Sequence, residues 1–283
     1  KEIDYTAKQY RDRHLNTIYI GGGTPTTLAP YQLDRLIRKI KSSFDLSYLL
    51  EFTVEAGRPD SITREKLEVI RKYPVTRISV NPQTMQQKTL DLVGRKHTVE
   101  DVEQIFHLAR ELGFDNINMD LIAGLPGEDA ADMQDTLEKI EKLHPDSLTV
   151  HALAIKRAAK FGQEGRTMDP GSEITQMVEA AAASAERMGL VPYYLYRQKN
   201  IAGNFENVGY AEQDKAGVYN ILIMEEKQAI LACGAGASTK RVWNLPDGYH
   251  IERCENVKDI KQYIARIDEM IERKKALFEK ELK

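Results

Sequence analysis

The chain has 283 residues, a formal net charge of −3 and a hydrophobic content of 42%. This length suits one large α/β domain, or one domain with a smaller appendage. The charge gives no electrostatic case for nucleic-acid binding, and no apolar run approaches the roughly 18 residues of a membrane helix. Two cysteines, Cys233 and Cys254, do not suggest a disulfide framework, so we expect a reducing cytoplasm.

The first residues already follow a helical pattern. Ile3, Ala7 and Tyr10 share one helical face, and neither an initiator methionine nor a capping residue precedes them. A helix that starts in this way favours a fragment of a longer chain. A removed tag with restarted numbering is the alternative.

A glycine-rich turn follows the first strand pattern. The β-branched run at 17–20 predicts a buried strand, and it ends in three glycines at 21–23 followed by Thr24. Glycines at this point indicate a turn where the backbone approaches something closely, and its bare N–H groups suit a carboxylate or a phosphate. A tight strand-to-helix turn without a ligand is the alternative.

Strand and helix patterns alternate through the first half of the chain. Strands are predicted at 17–20, 51–54, 76–80, 116–122 and 147–153, with helices at 1–14, 30–41, 61–70, 84–92, 98–113 and 133–143. Ser61 is a plausible N-cap, and Thr98 with Asp101 matches a capping box. The alternation predicts parallel βα units, in a barrel or in an open doubly wound sheet.

The second half has a different pattern. It suggests a loop at 156–171, a helix at 172–188, a strand at 191–195, a strand pair at 218–224 and 228–232, a hairpin at 239–249 and a charged helix or helix pair at 257–280. We therefore predict a core domain at 1–155 and a C-terminal α+β extension at 156–283.

Polar residues stand at the carboxyl ends of successive predicted strands. Glu55, Gln83 and Asp120 occupy three of these ends, beside the glycine turn at the first. Parallel strands gather their functional groups at that edge, and ordinary turns do not favour Glu or Gln. The pattern predicts a shared site. Arg95 could add a two-pronged bond to a ligand carboxylate, although a solvated surface arginine is equally consistent with the sequence.

Other common motifs are absent or weak. The glycine turn lacks the Gly-Lys-Ser/Thr of a P-loop, and Gly234-Ala-Gly236 lacks the third glycine of a dinucleotide fingerprint. The six histidines show no metal-binding spacing, and no Gly-x-Ser-x-Gly elbow is present.

Taken together, the motifs resemble a known family. The segments that carry the resemblance are 21–26, Gln83, 92–97, 118–127 and 234–238, in that order and spacing. They resemble the oxygen-independent coproporphyrinogen III oxidase family of radical S-adenosyl-L-methionine (AdoMet) enzymes. The segments 193–200 and 204–210 point to its HemZ-like branch. The resemblance covers nearly the whole chain.

This resemblance implies a partial (β/α) barrel that lacks its first strand, with a C-terminal α+β extension. It implies AdoMet binding by Gly22, Gly23, Thr24, Glu55, Gln83, Arg95, Asp120 and Ala154. Arg95 would hold the AdoMet carboxylate, Asp120 would contact the ribose, the segment 124–126 would lie near the adenine, and Ala154 would lie near a second AdoMet. The implied reaction converts two propionates of coproporphyrinogen III into vinyl groups, with an external electron donor.

One departure from the family is important. The family holds a 4Fe-4S cluster through Cys-x-x-x-Cys-x-x-Cys, and this sequence contains no such triplet. Either the chain is a fragment that begins after the cluster loop, or it is a natural paralogue without a cluster. The absent methionine and cap favour the fragment, which we expect to be inactive and to expose an edge at 17–20 for pairing or dimerisation.

Three alternatives to the oxidase stay open. The chain could come from a haem chaperone of the HemW type, from a radical AdoMet enzyme with another substrate, or from a (β/α) domain that binds phosphate without radical chemistry. Arg157, Arg197 and Lys199 are candidates, by charge, for holding the propionates.

Overall fold

A computed structural model describes residues 1–153, 170–197, 206–226, 228–246 and 248–281. The chain divides into two compact units. The sheet unit comprises Thr17–Arg35 and Glu51–Val218, and the hairpin unit comprises Lys1–Asn16, Leu36–Leu50 and Tyr219–Lys283. The predicted domain boundary after residue 155 lies outside the described residues.

Seven strands form the sheet of the sheet unit. The strands of the chain are β1 (Thr17–Ile20), β2 (Glu51–Gly57), β3 (Arg77–Val80), β4 (Ile117–Ala123), β5 (Ser147–Ala152), β6 (Val191–Arg197), β7 (Glu206–Ala211), β8 (Ser238–Leu245) and β9 (Gly248–Glu255). The sheet order is β1-β2-β3-β4-β5-β7-β6, in which β1 to β5 run parallel and β7 and β6 are added antiparallel. This curled half-barrel confirms the predicted partial (β/α) barrel.

The helices of the described chain are α1 (Glu2–Gln9), α2 (Pro30–Ser43), α3 (Arg64–Arg71), α4 (Gln87–Leu92), α5 (Val99–Glu111), α6 (Ala130–Leu143), α7 (Pro170–Arg187), α8 (Val218–Met224), α9 (Ile260–Ala265) and α10 (Ile267–Glu279). Helices α2 to α6 connect the parallel strands. The Thr98–Asp101 capping box is confirmed at the start of α5. No described helix is long and apolar enough to span a membrane.

The two faces of the sheet differ in chemistry. Along β2 and β4, alternate residues such as Phe52, Val54 and Met119 are completely buried in the apolar core. The opposite face, which we call the polar face, carries Tyr19, Thr53, Glu55, Arg77, Ser79, Asn118, Asp120, Ser147, Thr149 and His151. Parallel strands are usually apolar on both faces. A polar face on this sheet therefore indicates a functional surface.

Hydrogen bonds join the strands across the polar face. Arg77 Nη2 donates to Ser147 Oγ at 3.1 Å, and Ser147 Oγ and Thr149 Oγ1 each donate to Asn118 Oδ1 at 3.1 Å. Three further buried atoms have no hydrogen-bond partner among the described residues. They belong to alternate residues along and just after β3 and are Arg77 Nε, Ser79 Oγ and Asn81 Oδ1. Buried polar atoms left in this way indicate room for water or a ligand.

Four local expectations were wrong. Val218–Met224 is a helix instead of a strand, because a short apolar run does not distinguish the two; the Val218 N–H donates to Glu51 Oε2 at 2.6 Å. Residues 228–232 form only a bridge at Ile230 and no strand. Thr63, not Ser61, caps α3, because a 3₁₀ turn already uses Pro59–Ser61. β1 is half-buried and not fully buried, as suits an edge strand.

The hairpin unit is organised around a buried ion pair. The antiparallel pair β8–β9 confirms the predicted hairpin. Beside it, Lys274 Nζ of α10 binds Glu2 Oε1 of α1, with side-chain exposures of 0% and 4%. The Asn256 amide and the Gly234 N–H also donate to the Glu2 carboxylate, at 2.7 Å and 2.8 Å. These bonds satisfy a charge that would otherwise be costly to bury.

Candidate functional site

The glycine turn after β1 lies at the carboxyl edge of the sheet. Gly22 and Gly23 have φ angles of 71° and 75°, which favour glycine. A Cβ on Gly21 would lie 2.1 Å from Tyr19 Cε1 and 2.6 Å from Glu55 Oε2, so the predicted close approach exists at Gly21. A Cβ on Gly22 or Gly23 would meet no described atom within 4 Å. These two positions therefore face open space, as a ligand cradle requires.

Glu55, at the end of β2, binds this turn. Its Oε2 accepts from the Tyr19 hydroxyl at 3.1 Å and from the Gly22 N–H at 3.4 Å. Burial raises the pKa of Glu55 above its usual value and the nearby Asp120 carboxylate adds to this, while the hydrogen bonds from Tyr19 and Gly22 and the charge of His151 only partly oppose the rise. The folded chain thus disfavours the ionised Glu55 carboxylate, and a cation beside the carboxylate would stabilise it.

Asp120 extends this acidic part of the site to β4. Its Oδ1 accepts from Asn118 Nδ2 at 2.7 Å, and its Oδ2 lies 4.0 Å from His151 Nε2. Because Asn118 also accepts from β5 hydroxyls, Asp120 is positioned by the hydrogen bonds of the polar face.

Gln83 follows β3 in an unusual backbone conformation. Its φ is 70°, a region that residues other than glycine rarely adopt. Two backbone hydrogen bonds hold it against β4: its N–H donates to Asp120 O, and its carbonyl accepts from the Ile122 N–H, both at 2.9 Å. Such strain, typically costing about 1–3 kcal/mol, is common at functional sites.

Arg95 lies in the turn after α4, where its N–H donates to Leu90 O at 2.8 Å. Burial and the neighbouring Arg58 cation lower the pKa of Arg95, and Asp60 opposes them. Arg58 already binds the Asp60 carboxylate with two nitrogens, at 3.0 and 2.9 Å. In the part of the chain that the structure describes, Arg95 itself forms no ion pair. It is a half-buried cation available to an anionic ligand.

Thr24 lies near both parts of the site, the acidic part formed by Glu55 and Asp120 and the start of the basic part formed by Arg58 and Arg95. Its Cγ2 lies 3.4 Å from the position of a Cβ on Gly57, the residue that precedes Arg58. The turn at 22–24 therefore contacts Glu55 through the Gly22 N–H and lies beside Gly57 through Thr24. The arrangement places the Glu55 and Asp120 carboxylates on β2 and β4 and a cation, Arg95, in the loop after α4 near the Arg58–Asp60 ion pair, which suits a zwitterionic ligand.

The remaining predicted residues are less informative. Ala154, Arg157 and Lys199 lie outside the described residues, as does the side chain of Arg197. Gly124, at the end of β4, donates to Met177 Sδ at 3.2 Å and has Ile174 against it. The adenine contact predicted near 124–126 stays a prediction.

Sequence reasoning overlooked several polar residues of the site. Tyr19, Arg58, Asp60, His97 and His151 all touch or flank the predicted residues. Tyr19 and His151 could have been found from strand periodicity, because they share the face of Glu55 and Asp120. Arg58, Asp60 and His97 come from loops, for which no periodic pattern exists.

The cysteines do not fit an iron–sulfur cluster. Both belong to the hairpin unit, and burial raises the pKa of each thiol. The sequence has two cysteines, whereas the family's cluster needs three thiolates. Among the described residues, no group of three or more His, Cys, Asp or Glu side chains could hold a metal ion.

Comparison with known proteins defines the class. Residues 1–140 match the Radical SAM superfamily. The solved structure of coproporphyrinogen III oxidase (HemN) from Escherichia coli superposes with a TM-score of 0.71 over 95% of this chain and 61% of that one, at 22% identity, so the fold is shared. The chain belongs to the radical SAM superfamily.

Within this class, the chain is similar to the oxygen-independent coproporphyrinogen III oxidase-like proteins. It is 46% identical to the HemZ protein of Bacillus subtilis over 279 residues, which cover 96% of this chain and 55% of that protein. It is also 33% identical to the haem chaperone HemW of Bacillus subtilis over 264 residues, covering 90% of this chain and 63% of HemW. The chain thus spans between 55% and 63% of the length of these relatives.

Proposed function

We propose that the sheet unit binds AdoMet through its amino and carboxylate groups. The observation that carries this proposal is the pairing of like charges in two places. Glu55 lies near Asp120, and Arg95 lies near the Arg58–Asp60 ion pair, with the glycine turn bonded to Glu55 and beside Gly57, the residue before Arg58. The ammonium and carboxylate of one amino acid would relieve both repulsions at once.

Each predicted residue has a defined part in this proposal. Glu55 accepts hydrogen bonds from the ammonium group, and Arg95 donates to the carboxylate. The backbone of Gly22, Gly23 and Thr24 lines the same end of the ligand, and Asp120 accepts from the ribose hydroxyls. Gln83 contacts the nucleoside part of AdoMet, and Ala154 stays a predicted contact of a second AdoMet.

Isothermal titration of AdoMet into the chain tests the binding proposal. Arg95→Ala should weaken binding at least tenfold, because a hydrogen bond to a charged group contributes about 1.5–3 kcal/mol. Arg35→Ala, which removes an exposed arginine of α2, is the matched control and should bind as the wild type does. Equal affinities of Arg95→Ala and wild type would remove Arg95 from the site.

For a protein that contains this chain together with a cysteine triplet, we propose oxidative decarboxylation of coproporphyrinogen III propionates to vinyl groups, in the cytoplasm. When bound with a reduced 4Fe-4S cluster, AdoMet supplies the hydrogen-abstracting chemistry of the superfamily. The residues described above would hold and orient AdoMet at the carboxyl edge of the sheet. The names of the relatives support the substrate class.

We further propose that these 283 residues alone are inactive, because their two cysteines cannot supply the three cluster thiolates. Anaerobic reconstitution with iron and sulfide should give no stable cluster absorbance. A stable stoichiometric cluster would contradict this. An external electron donor, and association through the β1 edge, are further proposals that reconstitution and sedimentation can test.

Haem chaperone activity is the second candidate, favoured by the 33% identity to HemW. A protein that contains this chain together with a cysteine triplet would be incubated with coproporphyrinogen III, AdoMet and a reductant. Vinyl product identifies the oxidase. Retention of haem without turnover identifies the chaperone.

A further inference from the structure

His97 is a buried histidine beside the site that has no assigned role. It is 1% exposed and lies two residues after Arg95, in the connection between α4 and α5. Its Nε2 lies 3.3 Å from the carbonyl oxygen of Pro82. A carbonyl oxygen only accepts hydrogen bonds, so Nε2 carries the proton in this contact.

The surroundings of the other ring nitrogen favour the neutral ring at pH 7. Nδ1 is buried and has no hydrogen-bond partner among the described residues, with the nearest carboxylate oxygen, Asp60 Oδ1, at 3.8 Å. Burial lowers the pKa of His97, as do the cations of Arg95 and Arg58, while the Pro82 bond and Asp60 oppose them. Neutral His97 therefore makes one directed hydrogen bond, and its acceptor is Pro82.

The Pro82 carbonyl belongs to the peptide group that leads into Gln83. Rotation of this peptide would change the φ angle of Gln83, which is 70° and strained. It would also disturb the two backbone bonds between Gln83 and β4, which end on Asp120 O and Ile122 N. One hydrogen bond from His97 thus restrains the strand end that carries Gln83, from the same short segment that carries Arg95.

We propose that His97 is a positioning residue. Its Nε2 hydrogen fixes the Pro82–Gln83 peptide and so keeps Gln83 and Arg95 in the positions that the ligand requires. The inference rests on the proposed AdoMet site. It does not make His97 a contact of the ligand, because the ring is only 1% exposed.

Two variants of similar polarity separate positioning from packing. The Nε2 of a glutamine can reach the place of the histidine Nε2, so His97→Gln can still donate to Pro82. The shorter side chain of His97→Asn cannot. His107→Asn, at an exposed position of α5, is the matched control.

Hydrogen–deuterium exchange tests the restraint without any ligand. The Gln83 and Ile122 amides should exchange about fivefold faster in His97→Asn, the factor that corresponds to the loss of a hydrogen bond worth ~1 kcal/mol. They should keep wild-type rates in His97→Gln and His107→Asn. Unchanged rates in His97→Asn, or equal acceleration in His97→Gln, would overturn the proposal.

AdoMet titration of the same variants tests the link to binding. His97→Asn should bind about tenfold more weakly, and His97→Gln should restore binding to within about threefold of wild type. If the wild type binds no AdoMet, the proposed function fails, and the exchange rates still decide whether His97 restrains Gln83. Full affinity in His97→Asn would contradict the link to the ligand.

Discussion

At the residue scale, Glu55 lowers the folding stability of the chain while it provides a charged group that can bind a ligand. Burial and Asp120 raise the pKa of Glu55 in the folded chain. For a carboxylic acid, a raised folded pKa means that folding stability falls as the pH rises through the titration range. A cationic group of a ligand beside Glu55 would remove this loss of folding stability.

Glu55→Gln should therefore have opposite effects on stability and on binding. At pH 7 we expect the sheet unit to gain about 0.5–2 kcal/mol, as is common when a functional charge is removed. AdoMet affinity should fall at least tenfold, because the charged acceptor is lost. Urea unfolding and titration calorimetry measure the two effects. A less stable variant that keeps its affinity would contradict this account of Glu55.

Single residues also show where sequence reasoning succeeds. Thr98 and Asp101 follow a local rule, since both partners of the capping box lie within one turn, and the box was predicted. The Ser61 cap was wrong because the Ser61 hydroxyl instead donates to Arg58 O at 2.8 Å within its own turn. Serine makes either local bond, and only the surrounding fold selects between them.

At the element scale, the glycine turn is tied to the two strands that flank it. The Tyr19 ring of β1 and the Glu55 carboxylate of β2 both occupy the space beside Gly21. Tyr19 shares a strand face with Gly21, because it lies two residues earlier, whereas Glu55 comes from another strand and no periodicity relates it to Gly21. The pattern of three glycines predicted a close approach, while its cause required the packed structure.

Gly21→Ala should cost about 1–3 kcal/mol, the usual penalty of overpacking a well-filled site. Adding Tyr19→Ala should recover part of that loss, because it removes the ring atom 2.1 Å from the new methyl group. Thermal unfolding of the two single variants and the double variant gives the coupling energy. Strictly additive effects would show that the Tyr19 ring does not limit Gly21.

The ion pair between α1 and α10 makes a prediction for the hairpin unit. Burial alone would raise the pKa of Glu2, but hydrogen bonds from Lys274, Tyr263 and Asn256 lower it overall. A lowered folded pKa gives stability that is present above the unfolded pKa and is lost as the pH falls through the folded value. The pair should therefore stabilise this unit at neutral pH and less so in acid.

Lys274→Met should destabilise the hairpin unit by about 3–5 kcal/mol at pH 7, because it leaves the buried Glu2 carboxylate without its cation. The loss should shrink below about pH 4, where Glu2 becomes protonated in the unfolded chain. Trp243, the one tryptophan of the chain, lies on β8 and reports unfolding of this unit by fluorescence. A pH-independent loss would point to packing rather than charge.

At the scale of the whole molecule, the sequence pattern predicted the parallel part of the fold. The alternation from Thr17 to Ala152 contains five strands joined by helical crossovers, and each local pattern agrees with the sheet. The antiparallel addition of β7 and β6 was not foreseen. Their pairing depends on contacts between distant segments, such as Leu148 with Tyr210, which periodicity does not encode.

The site was predictable to a similar extent. Glu55, Gln83 and Asp120 followed from the rule that parallel strands gather polar groups at their carboxyl ends. The basic part depended on loops, so the sequence indicated Arg95 but not its neighbours Arg58 and Asp60. The opposed charges of the two parts became visible only when the strand ends were placed side by side.

The central claim is that this edge of the sheet recognises the amino-acid end of AdoMet. The most direct test compares S-adenosylhomocysteine with 5′-methylthioadenosine by titration calorimetry, since both carry an uncharged thioether and only the first carries the ammonium and carboxylate. Two charged hydrogen-bonding groups, at about 1.5–3 kcal/mol each, predict that S-adenosylhomocysteine binds at least ~100-fold more tightly. Equal affinity for the two nucleosides would contradict the account.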